Sequence, residues 1–320
     1  MSLLEEKSQN ATPISQLGEF GLIDHLTKNI KLKNENTIKG VGDDAAVIDI
    51  GDKYQLVSTD LLVEGVHFDL GYMPLKHLGY KSVAVNVSDI CAMNGDAKQI
   101  TVGLAMSNRF TVEALDELYA GIYLACEHYG VDLVGGDTTS STSGLMISVT
   151  VLGDVEKENV VYRSGAKIND LVICTGDLGA AYLGLQLLNR EKEMFKENPT
   201  MQPDLTGNDY VLRRQLKPEA GVKYIKILKD FDIIPTSMID ISDGLSSEVL
   251  HLSKSSKVGI TIHEDKIPVD YTTMNLANEF NMNPITCALS GGEDYELLFT
   301  ISQVHYDKFK KDADFTIVGY

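Results

Sequence analysis

The chain lacks the residue patterns that mark a membrane protein, a disulfide-stabilised protein or a zinc site. No stretch of eighteen apolar residues occurs among its 320 residues, so we expect no membrane-spanning helix. The four cysteines are scattered without a C-x-x-C pair, and residues 1–15 lack the basic and apolar regions of a secretory signal. Isolated thiols are typical of a reducing compartment, so we predict a cytoplasmic protein.

Basic residues are also scarce. Lysine and arginine together number 28 against 46 aspartates and glutamates, which gives a formal net charge of −18. Such a charge repels nucleic acids and anionic membranes, so we expect neither as a partner. An acidic surface on its own usually serves only solubility, and the positions of the acids decide whether they do more.

Strand-like and helix-like segments alternate in both halves of the chain, which predicts an α/β (α+β) fold. The predicted helices cover 17–30, 76–94, 112–129, 179–189, 218–229 and 244–254. The predicted strands cover 45–50, 54–59, 101–106, 131–134, 145–152, 171–175, 237–240, 259–263 and 295–301. A polar break at 163–167 separates the two halves, and 190–209 is predicted to be a surface loop. We therefore predict two domains, 1–152 and 153–320.

The common phosphate-binding loops are missing. Residues 40–45 match the pattern G-x-G-x-x-A, but the next segment, 46–50, has the pattern of a strand instead of a helix. Asp43 and Asp44 also stand where a pyrophosphate would have to bind. Neither the P-loop pattern nor a protein-kinase signature occurs, so a nucleotide would have to be held in another way.

Aspartates recur in one local setting, at strand ends or turns beside glycine or serine. They are Asp43, Asp44, Asp60, Asp89, Asp137, Asp240 and Asp243. Taken singly, each is more often a turn or helix-cap residue than a functional one. Asp60 and Asp137, however, each follow an apolar strand-like run, which predicts that they lie at strand ends where sites gather.

If these carboxylates converge, they need protons or cations. Two like charges about 4 Å apart cost on the order of 4 kcal/mol at an effective dielectric constant near 20. Oxygen ligands without histidine or cysteine favour Mg²⁺ or Ca²⁺ over zinc, and no EF-hand loop is present. Since Mg²⁺ binds through carboxylates together with substrate phosphates, the pattern predicts a polyphosphate held through metal. Ser58, Thr59, Thr138 and Thr139 are candidate hydroxyl or carbonyl ligands.

Eight segments resemble thiamine-monophosphate kinases in residue and in order. They are GEFGLI (18–23), VGDDAAV (41–47), STDLLVEGVHF (58–68), AVNVSDICAMNGDA (84–97), LVGGDTT (133–139), RSGAK (163–167), IDISDGL (239–245) and LSGGEDYELLF (289–299). The resemblance covers about residues 15–302. VGDDAAV and VNVSDICAMN are shared with the wider group of aminoimidazole-ribonucleotide synthetase, selenophosphate synthetase and the hydrogenase-maturation ATPase. STDLLVEGVHF and SGGEDYEL are more specific to the thiamine branch.

The resemblance implies a role for each matching residue. Several Mg²⁺ ions would be held by Asp44, Asp60, Asp89, Asp137 and Asp240, with Ser58 and Thr59 completing the shell and Asp243 as a further ligand. ATP would be contacted by Tyr119, Gly136, Asp137, Arg163 and Ser242, and the thiamine substrate by His67 and Glu293. No residue would act as a covalent or acid–base catalyst, because the metals assist a direct transfer.

The resemblance also implies an overall architecture and an activity. The fold would be the two-domain aminoimidazole-ribonucleotide-synthetase-like fold, in which N-terminal strands of two subunits join in one β-barrel. The homodimer would phosphorylate thiamine monophosphate to thiamine diphosphate with ATP, by direct in-line transfer. Related chains continue through a final segment whose aromatic residue covers the substrate ring, and the residue that would cover it here is left open.

Other interpretations stay open. A sister ligase of the same fold would use ATP on another small metabolite and release phosphate, and a non-catalytic protein would only bind Mg-nucleotide. His67 is also compatible with a half-buried strand histidine, Arg163 with a cap of the linker, and Glu293 with turn chemistry after two glycines.

Overall fold

Two β-sheets organise the residues that this computed structural model describes, 12–310 and 312–320. The first sheet consists of β1 (Thr37–Lys39), β2 (Ala46–Asp49), β3 (Lys53–Val63), β4 (Asp96–Met106), β5 (Asp132–Ser140) and β6 (Leu145–Glu156), in the order β1-β2-β3-β6-β4-β5. The second consists of β7 (Leu171–Thr175), β8 (Ser237–Asp240), β9 (Leu297–Ile301) and β10 (Phe315–Gly319), in the order β10-β7-β9-β8. All neighbouring strands pair antiparallel except β4 and β5, which are parallel.

Helices occur in both halves, so the predicted mixed α/β class is confirmed. They are α1 (Gly18–Thr27), α2 (Leu75–Ala92), α3 (Val112–Tyr129), α4 (Ala180–Glu197), α5 (Asp209–Leu216), α6 (Val222–Asp230), α7 (Leu245–Ser256), α8 (Tyr271–Glu279), α9 (Pro284–Ser290) and α10 (Tyr306–Phe309). Short 3-10 turns lie at Ile14–Gln16, Glu264–Lys266 and Gln303–His305. Within the described ranges, no helix combines the length and the apolar character that crossing a membrane requires.

Helix α2 lies between the two sheets and is buried on nearly all sides. Its apolar residues occupy most helical positions instead of one stripe, which is the pattern of a core helix. It packs against β3, β4 and β6 of the first sheet and against β8 of the second. Lys81, Asn86 and Ser88 are each at most 1% exposed on this helix. The helix therefore carries polar groups into the region between the sheets.

Two glycines allow α2 and α3 to pack backbone against backbone. A Cβ atom at Gly79 would lie 2.0 Å from the carbonyl oxygen of Leu118, and one at Gly121 would lie 1.9 Å from that of Lys76. Any larger side chain would force the two helices apart. This close contact fixes the position of α2 relative to α3, and with it the positions of the polar side chains that α2 carries.

The first sheet has one covered and one open face. Ile147, Val149 and Val151 of β6 are buried on the side of the helices. On the other side, the hydroxyls of Thr59 and Thr150 hydrogen-bond to each other at 3.0 Å and remain accessible. The edge strand β5 is exposed along almost its whole length. The open sheet surface, and an edge strand that has no further strand partner within 12–310 and 312–320, are available for contact with another chain.

Two sequence predictions are contradicted by the structure, and a third is left untested. The predicted loop at 190–209 is wrong in its first part, because α4 continues to Glu197 and buried Glu191 accepts a hydrogen bond from the backbone N–H of Asp204 at 2.9 Å. The predicted strand at 259–263 is wrong, since that segment forms only an isolated bridge, Ile262 to Gly319. The predicted domain boundary after residue 152 lies inside β6 and residues 1–11 lie outside the described ranges, so the two-domain division stays a prediction.

Candidate active site

Three aspartates from distant parts of the chain meet between the two sheets. Asp44 precedes β2, Asp89 lies near the end of α2, and Asp240 is the last residue of β8. One carboxylate oxygen of each lies within 4.8 Å of the other two. We call these three residues the acid cluster. Asp60 of β3, whose backbone N–H donates to Asn86 Oδ1 at 3.1 Å, acts electrostatically on Asp89 and Asp240 and so lies beside the cluster.

Two serine hydroxyls orient the acid cluster. Ser58 Oγ donates to Asp89 Oδ2 at 2.6 Å, and Ser88 Oγ donates to Asp240 Oδ2 at 2.6 Å. The first bond joins β3 to α2, and the second joins α2 to β8 of the other sheet. Because hydrogen bonds to a charged acceptor are short and strong, they fix the directions of both carboxylates.

Arg163, in the segment between β6 and β7, supplies one positive charge. Its Nη2 and Nε donate to Asp44 Oδ1 at 2.6 and 3.2 Å, and its backbone N–H donates to Asp43 Oδ1 at 2.9 Å. Asp44 Oδ2, in contrast, is buried without a hydrogen-bond partner among the described residues. An unpaired buried carboxylate oxygen is costly, so one arginine does not satisfy the cluster.

The pKa values of these carboxyl groups are raised. Burial raises the pKa of Asp44 to about 7 and that of Asp240 to about 6. Burial and the charge of Asp60 raise the pKa of Asp89 well above its usual range. Burial also raises the pKa of Glu248, on α7, to about 8. Carboxylates that resist ionisation together accept a cation readily, and an all-oxygen donor set favours a hard divalent ion.

The two residues predicted to bind the acceptor line one cavity. His67 and Glu293 lie on the wall of a cavity of about 340 Å³, together with Tyr72 and Tyr182. The backbone N–H of Val63 donates to His67 Nδ1 at 3.0 Å, which fixes the imidazole ring. We call this the acceptor cavity.

Tyr295 connects the acceptor cavity with the acid cluster. Burial raises the pKa of its hydroxyl, and the charges of Glu293, Asp60 and Asp240 raise it further. The backbone N–H groups of Tyr295 and Glu293 donate to the carbonyl oxygens of Ile241 and Ser242, the two residues after Asp240, at 2.9 and 2.7 Å. The acceptor cavity and the acid cluster are therefore neighbouring parts of one site.

A second, larger cavity of about 940 Å³ lies on the other side of α5. Gln215 of this helix lines the acceptor cavity, whereas Tyr210 and Arg214 line the larger one. The larger cavity contains none of the residues that the sequence predicted for the site. Size alone therefore does not identify the functional cavity.

Asp137 does not reach the acid cluster of its own chain. It lies exposed on β5 opposite Gly103 of β4, and strands β4 and β6 separate it from β3. Three strand spacings amount to about 14 Å. Across the sheet, Asp137 is aligned with Gly103 of β4, Ser148 of β6 and Leu61 of β3. The Leu61 side chain points to the opposite face from Asp60, because side chains alternate along a strand. Asp137 and the acid cluster thus lie on different faces of the sheet.

Two more predicted residues belong to the open face or the edge of this sheet. Thr59 donates its hydroxyl to the carbonyl oxygen of Val149 at 3.1 Å, away from the acid cluster. A Cβ atom at Gly136 would lie 1.9 Å from the carbonyl oxygen of Val102, so close strand pairing alone requires glycine there. Their predicted contacts with metal and ATP stay predictions.

The remaining predicted residues lie near the site or on α3. The carbonyl oxygen of Ser242 accepts a hydrogen bond from the backbone N–H of Glu293 at 2.7 Å. Asp243 is exposed, and its N–H donates to Glu248 Oε1 at 2.8 Å. The ring of Tyr119 packs against Tyr123 of the same helix, with the ring centroids 5.7 Å apart.

Sequence reasoning missed four residues that the structure places in or around the site: Lys81, Ser88, Glu248 and Tyr295. Lys81 and Ser88 are seven residues apart on α2 and therefore share one stripe of the helix. That stripe is a usable signal, because polar residues recurring inside an apolar helix need buried partners. Glu248 lies in the first turn of α7, where a glutamate normally indicates only helix capping.

Comparison with known proteins agrees with this geometry. Residues 42–155 match the family model described as AIR synthase related protein, N-terminal domain. The thiamine-monophosphate kinase of Aquifex aeolicus (strain VF5) is 35% identical over 96% of this chain and 92% of its own length. That of Bacillus subtilis (strain 168) is also 35% identical, over 95% of this chain and 91% of its own length.

Solved structures show the same similarity. The structure named AaThiL complexed with AMPPCP and TMP has a TM-score of 0.83 and 33% identity, covering 97% of this chain and 92% of that chain. The hydrogenase maturation protein HypE in complex with ATP, at 15% identity and a TM-score of 0.64, shares only the fold. The predicted aminoimidazole-ribonucleotide-synthetase-like fold is thereby confirmed. With more than 30% identity over nearly the full length of several such kinases, the chain belongs to the thiamine-monophosphate kinase family.

Proposed function

We propose that this protein transfers the γ-phosphate of ATP to thiamine monophosphate and so forms thiamine diphosphate. The observation that carries the proposal is the acid cluster, whose three carboxylate oxygens lie within 4.8 Å of one another beside the acceptor cavity. The curated relatives of that name, similar along more than nine tenths of both chains, support the choice of substrates.

The acid cluster fits Mg²⁺. Its donors are carboxylate oxygens, and Asp44 Oδ2 is buried without a hydrogen-bond partner among the described residues. Burial, and after it the neighbouring carboxylates, raise the pKa values of Asp44 and Asp240. Asp44, Asp60, Asp89 and Asp240 would hold several ions, with Ser58 beside them and Asp243 as a further ligand. When bound, Mg²⁺ would neutralise the charges of the carboxylates and of the substrate phosphates.

The chain's own residues bind and orient the two substrates. Glu293 and His67 would hold the thiamine part of the acceptor in its cavity, and Arg163 and Ser242 would contact ATP. No general base is required, because a phosphate monoester, with its second pKa near 6, is largely dianionic at neutral pH. Positioning of the acceptor in line with the γ-phosphate would supply much of the rate, and no phospho-enzyme forms.

A second copy of the chain would complete the site. Asp137 lies on the opposite face of the sheet from its own acid cluster and about 14 Å across the sheet from β3, so it does not serve that cluster. It shares the open face with Thr59, and β5 is an exposed edge strand. In a homodimer whose first sheets join in one barrel, the partner subunit's Asp137 would lie against residues 58–60 of β3, the segment that also provides Ser58 and Asp60 beside the acid cluster.

Mixing two inactive variants tests this arrangement. Asp137→Asn and Asp240→Asn should each be inactive as homodimers. In a mixed dimer, one of the two sites receives both native residues, so mixing after mild dissociation should restore activity. No recovery in a mixture shown by mass spectrometry to contain heterodimers would contradict a shared site.

One assay separates the proposed function from its alternatives. Enzyme, Mg²⁺, ATP and thiamine monophosphate are incubated, and ADP, free phosphate and thiamine diphosphate are each measured. Equal amounts of ADP and thiamine diphosphate without free phosphate are expected. Free phosphate in place of thiamine diphosphate would indicate a ligase, and nucleotide binding without turnover would indicate a non-catalytic protein.

A further inference from the structure

A buried lysine holds the carboxylate of Glu293. Lys81 lies on α2, and its side chain is 1% exposed. Its Nζ donates to Glu293 Oε2 at 2.9 Å and lies 2.9 Å from Oε1, so the ammonium group spans both carboxylate oxygens. Gln215 Nε2 donates to the same Oε2 at 2.9 Å. The Glu293 side chain nevertheless stays 27% exposed at the acceptor cavity.

We propose that Lys81 is a positioning residue for the phosphate acceptor. Its ammonium group holds the Glu293 carboxylate in one orientation, with the remaining acceptor capacity of the carboxylate directed into the acceptor cavity. A carboxylate accepts about four hydrogen bonds, and Lys81 and Gln215 donate two of them. The proposal rests on the proposed function, because that function makes Glu293 the residue that contacts the acceptor.

The ion pair with Glu293 explains why a lysine is buried on α2. An ammonium group inside a protein is strongly unfavourable unless it is paired, and an apolar residue would pack between the sheets without that cost. The one anionic partner of Lys81 among the described residues is Glu293. The pairing therefore accounts for a charged residue in the middle of a core helix.

The backbone around Glu293 is held in an uncommon conformation. Glu293 and Tyr295 have φ angles of 60° and 54°, in the left-handed region that residues other than glycine rarely adopt. Such conformations persist where surrounding contacts fix them, and they concentrate at ligand sites. The Lys81 ion pair, together with the bond from the Glu293 N–H to Ser242 O, provides these contacts.

The same stripe of α2 also fixes the acid cluster. Ser88, two turns after Lys81, donates to Asp240 Oδ2. One rigid helix therefore sets both the acceptor contact and a carboxylate of the acid cluster. The position of α2 would then set the distance between the bound acceptor and the metal-bound nucleotide.

The first experiment compares Lys81→Met with wild-type enzyme. The KM for thiamine monophosphate should rise at least about tenfold, which corresponds to about 1.4 kcal/mol and to the lower end of a hydrogen bond to a charged group. The KM for ATP should change little, because Lys81 pairs with Glu293 and with neither of the proposed ATP contacts, Arg163 and Ser242. Lys76→Met, an exposed lysine on the same helix, is the matched control and should leave both constants unchanged.

A double-mutant comparison separates positioning from general support of the fold. If Lys81 acts through Glu293, Lys81→Met should raise the acceptor KM little further in a Glu293→Gln background, since contacting residues are not additive. An unchanged acceptor KM in Lys81→Met, or the same fold increase in both backgrounds, would overturn the proposal.

Two further readouts keep the test decisive. If Lys81→Met does not fold, Lys81→Arg retains the charge and should keep the acceptor KM close to that of wild type, whereas equal rises in both KM values would reject positioning. A wild-type enzyme that makes no thiamine diphosphate would count against the proposed function. A working wild type beside an unaffected Lys81→Met would count against Lys81 alone.

Discussion

The carboxylate of Asp89 shows what the site demands of a single residue. Its pKa is raised by burial and by the charge of Asp60, and its one described hydrogen bond comes from the Ser58 hydroxyl. A residue with so much unfavourable charge around it stabilises the fold poorly by itself. Its charge is useful only when a cation is present.

Asp89→Asn is therefore expected to keep the fold and lose the reaction. The change preserves size and the contact with Ser58 but removes one negative charge from the acid cluster. We expect kcat to fall at least about a hundredfold, within the range of losing a metal-directed interaction. Asp96→Asn, an exposed aspartate that pairs with Lys229, is the control and should retain full activity. Comparable losses in both variants would contradict the assignment.

His67 offers a second test at this scale. His67→Ala should raise the KM for thiamine monophosphate and leave the KM for ATP nearly unchanged, because its ring lines the acceptor cavity and not the acid cluster. Steady-state kinetics with each substrate varied in turn measures this. A joint rise of both KM values would mean that His67 only supports the turn at Val63.

Among the secondary-structure elements, α2 is the one on which the site depends most. It packs on both sheets, and its close contact with α3 leaves no space for a side chain at Gly121. A shift of this helix would move Ser88 and Lys81 together. Its packing is therefore a condition of function as well as of stability.

Gly121→Ala should test that packing. The added Cβ would lie 1.9 Å from the carbonyl oxygen of Lys76, so the helices must separate. We expect the free energy of unfolding to fall by about 1–3 kcal/mol, the usual cost of overpacking, as measured by urea denaturation. Gly259→Ala, where the new atom meets nothing within 4 Å, should be close to neutral. Equal stability of the two variants would show that α2 has more freedom than the structure indicates.

The elements also show how far sequence patterns predict this fold. The bounds predicted for α3, β7 and β8 agree with the structure, because apolar spacing and turn residues point to the same limits there. The strand expected at 259–263 has a suitable pattern but finds only a single bridging partner. Helices α5, α8 and α9 are short and were not predicted, although the side chains of Asp270 and Asn283 cap the last two.

Local sequence patterns identified the aspartates of the site, but they did not predict which of them lie close together in the folded chain. Asp44, Asp89 and Asp240 are far apart in sequence, and only the packing of α2 between two sheets brings them together. Asp137 has the same local setting, yet strand order and side-chain alternation place it on the other face. Spacing along the chain contains no information on either outcome.

At the scale of the whole molecule, the interior acids make stability depend on pH and metal together. The folded-state pKa values of Asp44, Asp240 and Glu248, about 7, 6 and 8, lie above the ordinary values of these residues. The folded state therefore binds more protons than the unfolded state between about pH 4 and 8. In this range, metal-free protein loses stability as the pH rises.

Thermal melting should reveal this coupling. In excess chelator, the wild-type melting temperature is expected to fall from pH 6 to pH 8, because the clustered carboxyl groups lose their protons. Mg-ATP binds the folded site only and should raise the melting temperature more at pH 8 than at pH 6. Asp240→Asn should show a weaker pH dependence without metal. Two results for the wild-type protein would contradict convergence of the acid cluster: a melting temperature that rises towards pH 8 in chelator, or one that Mg-ATP does not change.

The central claim is that the molecule passes phosphate directly from ATP to the acceptor beside the acid cluster. The most direct measurement follows γ-labelled ATP with Mg²⁺, with and without thiamine monophosphate, in wild-type enzyme and in Asp89→Asn. We predict label in thiamine diphosphate for the wild type, almost none for the variant, and no labelled protein when the acceptor is omitted. Stoichiometric label on the protein that chases into thiamine diphosphate, or label released only as free phosphate, would contradict the account.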